Sequence, residues 1–228
     1  MIGMVDLKET TLIDYPGKIA ATVFTQGCNF NCAYCHNKML IGQNIEDVID
    51  LNSFREFIQK RKNFLEGIVF TGGEPLLYND LKKVFKIIKK EGLDIKLDTN
   101  GSQPQKLKKL IDKDLLDYIA MDVKSDFNNY ESVIGRDFDL NKIKDSIEVI
   151  STLGIDYEFR TTVIPEVTTI ETVKTILDDI LPENTKKYAL QRYQAVEGYI
   201  QIEHTKEDWQ EYIDEFGKYD FIEFRGNF

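Results

Sequence analysis

Short runs rich in Ile, Val, Phe and Tyr alternate along this chain with longer segments whose apolar residues recur every three to four positions. The runs span residues 19–25, 67–71, 94–98, 118–123, 155–164, 187–194 and 219–224, mostly bounded by Gly, Asn, Asp or Pro. This is the pattern of short buried strands. Between them, Leu81, Val84, Phe85 and Ile88 follow the i, i+3, i+4, i+7 spacing of one helix face, with Gly92 at the stop position. Ile143, Ile147 and Ile150 form a second stripe, with Asp139 placed as its cap and Gly154 as its stop. Val173, Ile176, Leu177 and Ile180 form a third, opened by the capping-box pattern of Thr168 and Glu171 and closed by Pro182. Trp209, Tyr212, Ile213 and Phe216 form a fourth, and Pro104 suits the first position of a short helix carrying Leu107, Leu110 and Ile111. The stripes, together with Met39 and Met121, read as core.

Strand–helix alternation at this spacing predicts parallel βαβ units, hence an α/β fold. Six to seven strands are too few for a full eight-stranded barrel and suit either an open sheet or an incomplete barrel. In both, reactive groups gather at the C-terminal ends of the strands. With no linker, low-complexity tract or short repeat, residues 1–228 read as one domain. Residues 1–18 read as an N-terminal extension with a turn at residues 14–17.

Composition narrows the function classes. The chain has 228 residues, 42% of them hydrophobic, and a net charge of −10. That balance disfavours nucleic acid as a partner, because phosphate affinity rests on clustered Lys and Arg. The Lys-rich run from Lys82 to Lys90 reads as the solvated face of a helix. No stretch approaches the roughly 20 apolar residues of a membrane span. The N-terminus lacks a basic region followed by an apolar run, so a cytoplasmic protein is expected.

All three cysteines lie in Cys28-Asn29-Phe30-Asn31-Cys32-Ala33-Tyr34-Cys35, a C-x3-C-x2-C loop after the first apolar run. Clustered cysteines in a cytoplasmic chain point to metal, and an odd number argues against a disulfide framework. Three thiolates on one tight loop suit three irons of a cubane cluster whose usual fourth cysteine is missing. Two other chemistries share these residues. Cys32 to His36 spells the haem-attachment pattern C-x-x-C-H, which leaves Cys28 unexplained. A structural zinc site with His36 as fourth ligand requires the adjacent Cys35 and His36 to bind one tetrahedral ion.

Each later run ends in its own polar cluster. Thr71-Gly72-Gly73-Glu74-Pro75 offers glycines that let the backbone approach a ligand and a carboxylate that can accept from an ammonium group. Asp98-Thr99-Asn100-Gly101 ends the third run. Asp122 and Lys124, two apart after the fourth, point the same way on an extended strand and suit a zwitterionic amino acid. Arg160, flanked by apolar residues in the fifth, requires a charged partner. Gln191 and Arg192 lie in the sixth, and His204 reads as a surface or capping residue at the start of a helix.

The cysteine loop, with Tyr34 before its last cysteine, resembles the radical S-adenosylmethionine (SAM) superfamily signature, as do the Gly-Gly-Glu-Pro segment and the Asp122/Lys124 pair. Within that superfamily, Gly27 through Asn37 resembles the glycyl-radical-enzyme activating enzymes. Residues 10–18, Thr-Thr-Leu-Ile-Asp-Tyr-Pro-Gly-Lys, resemble the anaerobic ribonucleoside-triphosphate reductase activating proteins. The resemblance implies a partial (β/α)6 barrel. It implies one [4Fe–4S] cluster on Cys28, Cys32 and Cys35, which reduces SAM to methionine and a 5′-deoxyadenosyl radical that takes hydrogen from a glycine of a partner enzyme. It places the backbone around Tyr34 and His36 near the adenine. Gly72, Gly73 and Glu74 meet the methionyl amino group, and Asp122 and Lys124 hold the amino and carboxylate groups. Asn100 and Arg160 fall on the SAM and substrate side of the cavity. The implied partners are a glycyl radical enzyme, anaerobic ribonucleotide reductase in particular, and a flavodoxin- or ferredoxin-type electron donor. The alternative is a radical SAM enzyme acting on a small molecule or peptide in cofactor or modified-nucleoside synthesis.

Overall fold

Eight strands pair in chain order into one sheet, and every neighbouring pair but the first is parallel. The computed structural model describes residues 3–42, 48–195, 201 and 203–226. The seven strands expected from the apolar runs are β2 (Ala20–Thr25), β3 (Gly67–Gly72), β4 (Asp94–Thr99), β5 (Tyr118–Asp122), β6 (Asp156–Val163), β7 (Tyr188–Arg192) and β8 (Ile222–Arg225).

The remaining strand, β1 (Met4–Thr11), lies inside the segment read as an N-terminal extension. It runs antiparallel to β2, with Met4 opposite Thr25 and Thr11 opposite Ala20. Only its two ends are fully buried, so its hydrophobic alternation is too faint to announce a strand. Met1 and Ile2 of that segment lie outside the described residues. The turn at residues 14–17 is present: Lys18 N donates to Tyr15 O, and Gly17 takes a φ of 72°.

The helices are α1 (Leu51–Arg61), α2 (Leu81–Lys90), α3 (Pro104–Ile111), α4 (Tyr130–Ile134), α5 (Asn141–Thr152), α6 (Ile170–Thr175) and α7 (Lys206–Phe216); α6 continues as a π-helical turn, Ile176–Ile180. The stripes of α2, α3, α5 and α7 are buried as their spacing predicts, apart from the half-buried Ile111 and Ile213. Helix α1 has no stripe among those expected; Asp50 caps it by accepting from Asn52 N and Ser53 N, and it buries Phe54 and Ile58. Three local expectations are corrected. The capping box of α6 uses Thr169 and Thr172, because Thr168 is buried and spends its hydroxyl on Thr162 O. Met39 is 79% exposed on a short turn after the cysteine loop, unlike the buried Met121. His204 is neither a surface nor a capping residue: Thr205 caps α7, and the His204 ring is buried against Trp209 and Tyr212 with Nε2 3.1 Å from Val163 O.

The two faces of the sheet differ in chemistry. One face presents Ala21, Val23, Ile68, Phe70, Ile95, Leu97, Ile119, Met121, Tyr157 and Phe159 to the helices, in one continuous core. Each Val, Leu, Ile, Phe or Met among them stabilises by roughly 1.5–3 kcal/mol when fully buried. The alternate residues carry Thr22, Thr71, Asp98, Asp122, Arg160 and Gln191. Groups from β3 to β7 line one cavity, so the sheet wraps around it. Among the described residues, no ladder joins β1 to β8, which leaves the barrel open. Among the described residues, no helix is long and apolar enough to cross a membrane.

Candidate active site

The loop after β2 brings Cys28, Cys32 and Cys35 to the wall of a cavity of about 500 Å³. Its path is fixed by backbone bonds to the next strand end. Gly73 N donates to Thr25 O at 2.7 Å, and Glu74 N donates to Gly27 O at 2.8 Å. The contact is so close that a Cβ on Gly73 would stand 2.0 Å from Gly27 O, and one on Gly72 would stand 2.7 Å from Thr25 N and O. The paired glycines therefore serve first to let two backbones touch, next to Cys28, while Thr71, Gly72 and Gly73 also line the cavity.

Glu74 is placed differently from its expected role. Its carboxylate is buried outside the cavity lining and accepts from Leu76 N, Thr99 Oγ1 and Asn100 N at 2.7–2.9 Å. Burial outweighs these three donors and pushes its carboxyl up to about 7. Glu74 thus ties the end of β3 to the end of β4, and no ligand is needed to satisfy it.

The opposite wall is ionic. Arg160 donates from Nε to Asp122 Oδ1 at 2.8 Å and from Nη1 to Asp98 Oδ2 at 3.3 Å. Lys124 Nζ donates to Asp122 Oδ2 at 2.8 Å, and Lys96 Nζ to Asp98 Oδ1 at 2.5 Å. Burial alone would raise the Asp122 carboxyl; Arg160 and Lys124 outweigh it and hold it at about 2. Both cations are correspondingly pushed up by the carboxylates, against their own burial. Each carboxylate of this row thus meets two cations, and Arg160 is shared between them. The Arg160 partner demanded by its apolar flanks is present twice. Lys96 carried no signal in the sequence reading, and only the structure shows it paired with Asp98.

The remaining residues fall as follows. Tyr34 is buried with its ring 5.9 Å from Lys124 Nζ, and its hydroxyl has no hydrogen-bond partner among the described residues. His36 is exposed on the cavity lining, 5.4 Å from the Tyr193 ring. Asn100 is buried, with Nδ2 3.1 Å from Asn29 Oδ1. Gln191 lines the cavity and Arg192 does not. Asp14, from the N-terminal segment, also reaches the lining and accepts from Thr22 Oγ1 at 2.7 Å. Sequence reasoning missed this residue, because a turn motif carries no sign of where its side chain goes.

Over residues 22–180 the sequence matches the family model of the Radical SAM superfamily. The chain belongs to the radical SAM superfamily. It is 33% identical over 207 residues to a Methanocaldococcus jannaschii protein described as a glycyl-radical enzyme activating enzyme, across 86% of this chain and 81% of that one. It is 28% identical over 169 residues to the pyruvate formate-lyase-activating enzyme of Clostridium pasteurianum, across 69% of this chain and 66% of that one. These relatives place it in the activating-enzyme group. A radical SAM methyltransferase from Sphaerobacter thermophilus superposes with a TM-score of 0.69 at 16% identity, over 95% of this chain and 70% of that structure. That likeness is one of fold, and it matches the open parallel barrel.

A radical SAM enzyme works with a [4Fe–4S] cluster and SAM, and the residues present fit both groups. Among the described residues, no three His, Cys, Asp or Glu side chains gather tightly enough to hold a single ion. Three thiols spread along a cavity wall instead suit the corners of a multi-iron cluster. Burial pushes the Cys28 thiol up to about 11 and raises Cys32 as well. Both therefore stay protonated until a metal displaces the proton. Membership of the superfamily assigns these cysteines to its [4Fe–4S] cluster in place of zinc or haem attachment.

Proposed function

We propose that this radical SAM enzyme activates a glycyl radical enzyme, with anaerobic ribonucleoside-triphosphate reductase as its partner. Cys28, Cys32 and Cys35 would hold the cluster and leave one iron for SAM. Asp122 and Lys124 would take the amino and carboxylate groups of its methionyl part, with the backbone at Gly72 and Gly73 beside them and Tyr34 and His36 toward the adenine. When bound, the cluster and SAM supply one-electron chemistry that removes a hydrogen atom from carbon. The protein's part is to orient both groups and to keep water and stray donors away from the reacting carbon.

The observation that carries the assignment is the meeting, in one cavity, of the three thiols of the β2 loop with the Asp122–Lys124 pair of the β5 end. The choice of partner is supported by residues 10–18, whose Asp14 lines the same cavity. Reduction would come from a flavodoxin- or ferredoxin-type donor.

The test is anaerobic reconstitution with iron and sulfide, reduction, addition of SAM, and electron paramagnetic resonance with the candidate glycyl radical enzymes present. A glycyl radical on ribonucleotide reductase, with stoichiometric 5′-deoxyadenosine, is the expected result. SAM cleavage without a radical on any such partner would shift the assignment to a small-molecule or peptide substrate.

A further inference from the structure

Asn100 stands one residue beyond β4, where Asn100 N donates to Glu74 Oε2 at 2.7 Å. Its side chain has a single workable orientation. Oδ1 accepts from Ser102 N at 3.0 Å, so the amide nitrogen must turn the other way, toward the cysteine loop. There Nδ2 donates to Asn29 Oδ1 at 3.1 Å and to Cys28 Sγ at 3.7 Å. Flipping the amide would face its NH2 against the Ser102 N–H, so the assignment is fixed by the network. A second donor, Phe30 N, reaches the same sulfur at 3.3 Å. Asn100 is 6% exposed, so little of it is open to solvent.

We infer that Asn100 is a positioning residue that sets how readily the cluster accepts its electron, given Cys28 as an iron ligand. Adding one electron to an oxidised cluster puts more negative charge on its sulfurs. An N–H dipole aimed at a ligand sulfur stabilises that charge and raises the reduction potential, most strongly where solvent is excluded. The position demands an amide: an acceptor for Ser102 N and a donor for sulfur on one short side chain. Aspartate supplies only the first, serine or alanine neither in this geometry.

The experiment is a potentiometric titration of the reconstituted holoenzyme, read by the reduced-cluster resonance, with iron and sulfide content measured on each sample. In Asn100→Ala and Asn100→Asp, the reduced-to-oxidised ratio of the cluster at a fixed donor potential should fall about tenfold, which is about 59 mV for a one-electron couple. Ser102→Ala removes the Ser102 Oγ bond to Asn29 Oδ1 at 3.2 Å, which loosens the same loop without touching sulfur, and should leave the potential in place. The inference fails if the Asn100 variants load a full cluster and shift by less than about threefold. It fails equally if Ser102→Ala shifts as far as they do, or if they load no cluster while the wild type does, since Asn100 would then be loop framework. A wild type that loads no cluster would instead overturn the ligand assignment of the three cysteines.

Discussion

Asp122 and Arg160 stand opposite each other in the parallel register of β5 and β6, and their side chains close an ion pair at 2.8 Å. Because the side-chain period of a strand is two, a slip of either strand by one residue would turn its member of the pair to the helix side. The pair therefore reports the register of the barrel as well as the charge of its cavity. Removing Arg160 leaves Asp98 with Lys96 and Asp122 with Lys124, so neither carboxylate is orphaned. We expect a double-mutant cycle of Asp122→Asn and Arg160→Met, read by urea unfolding, to give a coupling of about 1–3 kcal/mol. A coupling under about 0.5 kcal/mol would mean that the two act independently.

Under the proposed role of Lys124 in holding SAM, its removal should distinguish ligand binding from cluster assembly. Its ammonium bonds Asp122 and, among the described residues, meets the cysteine loop only in its approach to the Tyr34 ring. A charge-assisted hydrogen bond to a carboxylate contributes about 1.5–3 kcal/mol, or roughly tenfold or more in affinity. Lys124→Ala should therefore bind SAM at least about tenfold more weakly by equilibrium titration, with iron content unchanged. Loss of iron in this variant would make Lys124 part of the framework.

Much of this site was legible before any fold was known. C-x3-C-x2-C, Asp122/Lys124 and Arg160 each combine a chemistry-bearing residue with a strand end, and strand ends in an α/β sheet converge. Period-two alternation also separates the helix face, such as Ile95 and Leu97, from the cavity face, such as Lys96 and Asp98. What stayed hidden depends on contacts distant in sequence. Glu74 had a ligand-binding spacing, but Asn100 and Thr99, some 25 residues on, consume its lone pairs. Strand β1 buries too little to show a pattern. His204 is buried by packing on Trp209 and Tyr212, with its ring against a carbonyl 41 residues earlier.

The glycines at two turns should respond to the same substitution very differently. A Cβ at Gly92 meets nothing within 4 Å, so Gly92→Ala costs only the strain of its left-handed φ of 77°, about 1–2 kcal/mol. A Cβ at Gly73 would meet a backbone carbonyl, Gly27 O, at 2.0 Å, which no side-chain rotation relieves. Gly73→Ala should push the cysteine loop from the β3 end and lower iron loading in anaerobic reconstitution, whereas Gly92→Ala should load fully. Equal loading of the two would show that the loop tolerates displacement.

Glu74 should give the protein a pH-dependent stability with a definite sign. Its folded carboxyl sits at about 7 against an ordinary 4.5, so the folded state keeps its proton where the unfolded chain has lost it. The stabilising contribution is complete below about pH 4.5 and is lost as pH rises through 7, a change of about 3 kcal/mol. Buried His204 is held below its ordinary value, so its contribution runs the opposite way: it is present above about pH 6.5 and lost as pH falls. Comparing wild type with Glu74→Gln at each pH cancels that term. The glutamine amide cannot accept from all three donors, so the variant should be less stable by about 1–3 kcal/mol at pH 5. It lacks the titrating proton, so the deficit should shrink as pH rises to 8. Urea unfolding of both proteins at pH 5 and pH 8 decides the matter: a deficit that stays constant across that range would mean that Glu74 is ionised throughout and that its three donors outweigh its burial.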